Sequence, residues 1–231
     1  MITLRPASER GHADHGWLLA RHAFSFADYH DPRHMGFRAL RVMNEDRIAG
    51  GMGFGMHPHA DMEILTVLLS GTLRHRDSLG NEGVIRPGEI QYMSAGTGVR
   101  HSEFNDSATE PAHLYQIWIL PSRRGFAPTY GARDFRHAAP GAITTLASAD
   151  GADGSMAIRA DASVRLAKFS GDETLTHALR PGRHAWVQTM SGTITVNGVK
   201  LSEGDGAALS EETDVTLTGT PGAQALLFDL A

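Results

Sequence analysis

No cysteine occurs in the 231-residue chain. Disulfides, thiolate nucleophiles and thiolate metal sites are therefore excluded, a reducing compartment suits the chain, and a cytoplasmic protein is expected. Any metal must sit on His, Asp or Glu. Long apolar runs are also missing: the longest, such as Ile64 to Leu69, are only strand length, and Met1 to Gly16 is polar with no apolar leader segment. A soluble protein with no membrane partner is expected. An excess of basic charge is absent too, since 21 Lys and Arg stand against 26 Asp and Glu, a net charge of −5. Nothing global draws such a chain to phosphate backbones, so direct nucleic-acid binding is not expected. Helix signals are sparse.

What is abundant is glycine, 26 residues, spread as it would be between many short strands. At about 150 residues per domain the length allows one large domain or two small ones. From Ala39 to Pro121 strand-like runs alternate with turn formers. The runs are Ala39 to Met43, Glu63 to Leu69, Thr72 to Asp77, Gly83 to Arg86, Ile90 to Met93 and His113 to Leu120. Asn44-Glu45-Asp46, Ser70-Gly71, Leu79-Gly80-Asn81, Pro87-Gly88, Ser94 to Gly98 and Asn105-Asp106 read as turns. Pro121 to Pro140, with little periodicity, reads as the connection between two halves. Those halves share text: Leu68-Leu69-Ser70-Gly71-Thr72-Leu73 resembles Thr189-Met190-Ser191-Gly192-Thr193-Ile194, and Arg86-Pro87-Gly88-Glu89 resembles Ser202-Glu203-Gly204-Asp205.

Of the 13 histidines, three stand paired with another donor at alternate spacing. His57-Pro58-His59 puts two imidazoles on one face of an extended segment, and His101-Ser102-Glu103 repeats the spacing with a carboxylate. Gly51, Gly53 and Gly55 precede the first pair and Gly96 and Gly98 the second, marking places of close backbone approach. On facing strands the pairs would make a site of three nitrogens and one oxygen, the donors a metal uses when sulfur is absent, with coordination positions left open. His22, His30, His34, His75, His113, His137 and His177 have no partner at ligand spacing and read as surface or hydrogen-bonded residues. Trp17, Phe24, Phe26, Tyr29 and Phe37 read chiefly as core. Met43, Met52, Met56, Met62 and Met93 surround the motifs and would make the pocket apolar.

Gly51 to Gly71 (GMGFGMHPHADMEILTVLLSG) resembles the first cupin motif, and Gly88 to Asn105 (GEIQYMSAGTGVRHSEFN) the second. More narrowly, HPH, the SAGTGVRHSE run and the His15 to Asp46 segment are similar to pirin and its bacterial relatives. The resemblance implies an all-β bicupin: two antiparallel β-barrels, each a double-stranded β-helix, packed face to face. A metal-binding domain over 1–125 and a degenerate, metal-free cupin over 126–231 are expected. It places the metal ligands on His57, His59, His101 and Glu103. Generic cupins use the glutamate after His-x-His instead, here Glu63, so the carboxylate is a choice; the pirin pattern favours Glu103 and leaves Glu63 beside the ligands or against substrate. Ala60 departs from the family, whose relatives usually carry Arg there.

The resemblance also implies an oxidoreductase: a dioxygenase cleaving flavonols such as quercetin with O2. Its cofactor would be one divalent transition metal, Fe(II) first, with Cu, Ni, Co, Mn or Zn as the other candidates. Glu103, or Glu63, would take the proton of a substrate hydroxyl. The competing readings are a metal- or redox-dependent regulator working through a protein partner, and a Lewis-acid isomerase or hydrolase. A monomer is expected. Because free imidazole titrates at about 6.5, metal loss is expected near pH 5. Counting from the shared glycines maps His57, His59 and Glu63 onto Ala178, Arg180 and His184, and His101 and Glu103 onto Leu217 and Gly219.

Overall fold

Both halves turn at matching glycines. Gly71 and Gly192, at φ +81° and +72°, and Gly88 and Gly204, at +85° and +83°, occupy the left-handed region that side-chain-bearing residues disfavour. Between such turns the computed structural model, which describes all residues Met1–Ala231, is built of strands. In chain order the first are β1 (Ile2–Arg5), β2 (Gly11–Asp14), β3 (Leu18–His22), β4 (Leu40–Ile48), β5 (Gly53–His59) and β6 (Glu63–Ser70). Next come β7 (Leu73–Asp77), β8 (Glu82–Ile85), β9 (Glu89–Ser94), β10 (Val99–Asn105), β11 (Ala112–Ile119) and β12 (Thr129–Asp134). The second half holds β13 (Ala142–Ser148), β14 (Met156–Ala157), β15 (Ala162–Lys168), β16 (Thr174–Ala178) and β17 (His184–Ser191). It ends with β18 (Thr193–Val196), β19 (Val199–Ser202), β20 (Gly206–Leu209), β21 (Asp214–Gly219) and β22 (Gln224–Leu230). No helix is long and apolar enough to cross a membrane.

The strands fall into two units. The first, Gly11–Gly36 with Leu40–Arg136, has a seven-stranded sheet in the order β12-β9-β6-β11-β4-β3-β2 and a four-stranded sheet β5-β10-β7-β8. The second, Met1–Arg10 and Phe37–Ala39 with His137–Ala231, has β1-β20-β17-β22-β15-β13-β14 and β16-β21-β18-β19. Strand for strand, β9-β6-β11-β4 and β5-β10-β7-β8 recur as β20-β17-β22-β15 and β16-β21-β18-β19, so the repeated text marks a repeated fold. This is the all-β bicupin, each unit dividing its strands between two sheets rather than closing one into a barrel. The division expected at 125/126 would detach β12, which pairs along its whole length with β9, and would leave Met1–Arg10 with the first half although β1 pairs with β20.

One turn reading and one connection reading are corrected by the pairing. Asn44-Glu45-Asp46 lies inside β4, paired with β11 on one side and β3 on the other, and its polar side chains are buried rather than turn-forming. The Pro121 to Pro140 connection contains β12.

Alternation along the first unit's strands sets the site's depth. Leu18 and Ala20 of β3, Ile48 of β4, Leu68 of β6, Leu73, Ile85, Ala112 and Leu114 form a buried aliphatic floor. Further along the inward faces apolar gives way to polar: Asn44 and Asp46 on β4, Thr66 on β6, Gln91 on β9, Gln116 on β11 and Glu103 on β10 are all buried.

Candidate metal centre

β10 runs antiparallel to β5 with His101 opposite His57 and Val99 opposite His59. The register then slips, so that Glu103 faces Phe54: two steps on β10 span three on β5. This bulge lets Phe54 and His57 share the inward face although they are three residues apart. His57 Nδ1 donates to the Gly55 carbonyl at 2.7 Å, inside the bulge, leaving Nε2 for the cavity. The close approach requires glycine at 53, where a Cβ would sit 2.2 Å from the Glu103 carbonyl oxygen. Gly96 is equally constrained, at φ +48° with a Cβ position 2.1 Å from the Phe126 carbonyl, whereas Gly51, Gly55 and Gly98 face open space.

The three histidines converge. Their ring centroids lie 4.8 Å (His57 to His59), 4.5 Å (His57 to His101) and 4.9 Å (His59 to His101) apart. Their ligand nitrogens lie within 4.8 Å of one another, and so do ligand atoms of a second group, His75, His101 and Glu103. The four residues expected as ligands thus fall in two overlapping sets that share His101, the second completed by His75. Burial, then the neighbouring imidazoles, push His59 down to about 3, and the same causes push His101 down to about 3, so both rings are neutral donors.

His75 was not expected here. It is fully buried, its Nδ1 lies 3.4 Å from His101 Nδ1, and its ring stacks on Tyr130 with centroids 4.1 Å apart. On its far side Nε2 stands 3.4 Å from Asp77. Burial works against the Asp77 charge, but hydrogen bonds from Asn81, Leu79 and His75 hold that carboxyl below its ordinary value. The sequence signal was available: His75-Arg76-Asp77 has the same alternate spacing as the two pairs recognised above.

Glu103, 2% exposed, is held by amides. Gln91 Nε2 donates to Oε1 at 2.6 Å and Gln116 Nε2 to Oε2 at 2.8 Å. An ionised carboxylate only accepts, so the NH2 groups turn to it and each amide oxygen takes a hydroxyl: Thr66 donates to Gln116 Oε1 at 2.9 Å and Tyr130 to Gln91 Oε1 at 3.3 Å. Burial nevertheless raises the Glu103 pKa. Glu63 is a correction. It starts β6 on the face opposite Ile64 and Thr66, where its carboxylate accepts from Tyr92 and, at 2.7 Å, from Ser94. Strand alternation turns it away from the histidines, and it belongs neither to their cluster nor to the cavity lining.

The histidines and Glu103 open on a cavity also lined by Phe26, Asn44, Asp46, Phe54, Ile64, Gln116 and Trp118. Trp118 stands edge-on to His59 and to Phe26, at 4.7 and 5.3 Å. Phe26 is therefore a pocket residue. Trp17 packs on Phe54, and Phe24 is buried. Met43 and Met93 are buried and Met62 packs against Met93's cluster, but Met52 and Met56 are exposed, outside the pocket. Ala60 lines a shallow depression beside His59 with Pro58, Ser78 and Arg100.

Asn44 Oδ1 meets His22 Nδ1 at 2.9 Å, while Asp46 Oδ1 has no partner. Burial first, then the Glu103 and Glu45 charges, push Asp46 up to about 7. In the second unit the corresponding interior is hydrocarbon. Leu217 is fully buried in its core, and Gly219 lies under the Phe169 ring, with a Cβ position 2.6 Å from it.

A divalent metal fits the first unit's donors. His101 Nε2 is buried with no hydrogen-bond partner, two of the rings are held neutral, and a carboxylate stands beside them.

The pirin family pattern matches residues 3–119, and that of the quercetinase C-terminal cupin domain matches residues 145–230. A protein of Escherichia coli strain K12 named quercetin 2,3-dioxygenase is 50% identical, the alignment covering 100% of this chain and 99% of that one. A pirin-like protein of Caulobacter vibrioides is 44% identical over 100% of both chains. The crystal structure of the bacterial pirin YhhW of Escherichia coli in complex with nickel(II) is 49% identical and superposes with a TM-score of 0.96, covering 100% of this chain and 99% of that one. With both halves matched in order and the whole length covered, the chain belongs to the pirin family.

Proposed function

We propose that the protein is a metal-dependent dioxygenase that opens flavonols such as quercetin with O2, with Fe(II) on His57, His59, His101 and Glu103. The observation that carries this reading is the convergence of three imidazoles, two of them held neutral, on a cavity walled by Phe26, Phe54, Ile64 and Trp118. The name and nickel complex of its Escherichia coli relatives support it. Bound there, the metal supplies a Lewis-acid centre with open positions that favour the anion of a substrate hydroxyl.

The chain's own groups do the rest. Glu103 is the base beside the open positions that takes the proton the hydroxyl gives up, and Gln91 and Gln116 keep its oxygens aimed. Phe26, Phe54 and Trp118 clasp an aromatic substrate and keep water from the reacting carbons. The test is aerobic turnover of quercetin by metal-loaded protein alongside a His57→Ala, His59→Ala double variant, with elemental analysis of each. Turnover and metal near one per chain, both lost in the variant, support the reading. Equal turnover in the two proteins overturns it.

A further inference from the structure

Among the polar side chains that line the cavity, Asp46 stands out. It is 4% exposed, and its Oδ1 meets no donor. A buried carboxylate oxygen without a partner is costly, and native proteins rarely leave one without a reason. The register supplies no local relief: Asp46 lies between Ala20 of β3 and Leu114 of β11, both part of the aliphatic floor. Asn44, two residues away on the same face, is already engaged with His22. In the same lining Trp118 carries a buried Nε1–H that also lacks a partner. One cavity thus holds an unmatched acceptor and an unmatched donor beside the three histidines.

We propose that Asp46 receives a hydroxyl of the bound substrate while Trp118 Nε1 donates to a second substrate oxygen. The pair selects an oxygenated aromatic ligand and sets which edge of it faces the metal ligands. The identity of the ligand rests on the flavonol reading above, but the pairing concerns binding and does not require turnover. A hydroxyl donating to a carboxyl in a water-poor pocket discriminates strongly, because a ligand lacking it leaves the acid buried and unpaired.

The experiment is calorimetric titration of the metal-loaded protein, without O2, with quercetin and with flavonols each lacking one of its hydroxyls. The wild-type chain is expected to bind one of these analogues at least about tenfold more weakly than quercetin. In Asp46→Leu, whose side chain suits the Ala20 and Leu114 neighbours, quercetin falls to the level of that analogue and the analogue itself is unaffected. Asp46→Asn, which keeps the shape, serves if the leucine variant does not fold, and loses the same discrimination in part. Trp118→Phe weakens every flavonol that keeps the oxygen Trp118 binds and leaves unaffected any analogue that lacks it.

Uniform weakening across the panel in Asp46→Leu, no discrimination by the wild type, or no flavonol binding at all overturns the proposal. Discriminating binding without O2 consumption in air upholds Asp46 and overturns the oxygenase reading. Turnover with no hydroxyl dependence at Asp46 does the reverse.

Discussion

Gln91 and Gln116 each turn an amide nitrogen onto Glu103, one to each carboxylate oxygen, at 2.6 and 2.8 Å. The carboxylate is thereby oriented before any metal arrives. Removing Gln116 leaves the buried Oε2 unpaired and the carboxylate freer to turn. Gln116→Leu is expected to weaken metal binding by about 10- to 100-fold, and Thr66→Val, which unpins the amide and removes a longer 3.4 Å contact to Glu103 Oε1, by less. Competition with a chelator of known affinity measures both. An unchanged affinity in Gln116→Leu would show that Glu103 needs no such support.

Acid should release the metal later than free imidazoles would suggest. His59 and His101 take up protons only at about 3, so at pH 5 they do not compete with the metal. Metal content after dialysis from pH 6 down to pH 3 is expected to hold at pH 5 and fall below it. Half the metal gone at pH 6 would contradict the burial of these rings.

Asp46 makes stability depend on pH in the opposite sense to a salt-bridged carboxylate. Its pKa rises from 3.8 to about 7 on folding, so the folded chain binds a proton that the unfolded chain has lost. The penalty is complete above about pH 7 and vanishes below about pH 4, amounting to a few kcal/mol at about 1.4 kcal/mol per pKa unit. Metal-free wild-type protein should therefore gain on metal-free Asp46→Asn as pH falls from 7 to 4. Parallel urea stability curves over that range would refute the shift.

Two glycines separate close approach from mere flexibility. Gly53→Ala forces a Cβ to 2.2 Å from the Glu103 carbonyl and should cost upwards of about 2 kcal/mol, whereas Gly55→Ala meets nothing within 4 Å and should be near neutral. Denaturant midpoints decide between them. Equal effects would mean that the β5 and β10 backbones are not in contact at Gly53.

Many strands of the first half and its clustered histidines were legible because alternation and Gly-marked turns are local signals. Asn44-Glu45-Asp46 was misread for the same reason. Three polar residues in a row look like a turn, and only the pairing of β4 with β3 and β11 reveals them as buried strand. His75 and Asp77 carried the right spacing, but nothing local announced that β7 would lie beside β10. Glu63 failed in the other direction: it stands at the sequence position generic cupins use, and one step of strand alternation puts it on the wrong side of the sheet. The first residues of the chain pair with β20, a contact between positions some 200 apart that no local pattern encodes.

The bulge opposite His101 has a consequence for how such a site can be lost. Because β5 carries one residue more than β10 between the Phe54 and His57 registers, the bulge absorbs that residue and keeps the histidine pair in phase with the cavity. Excising Gly55 would leave two steps on each strand, so Phe54 and His57 would still share the inward face by plain alternation. Excising Pro58 instead would keep every donor and every strand, yet set the two imidazoles of β5 on opposite faces. A homologous chain could thus retain every histidine and still have no centre, and a census of histidines would not detect it; the frame in which they are presented carries the information.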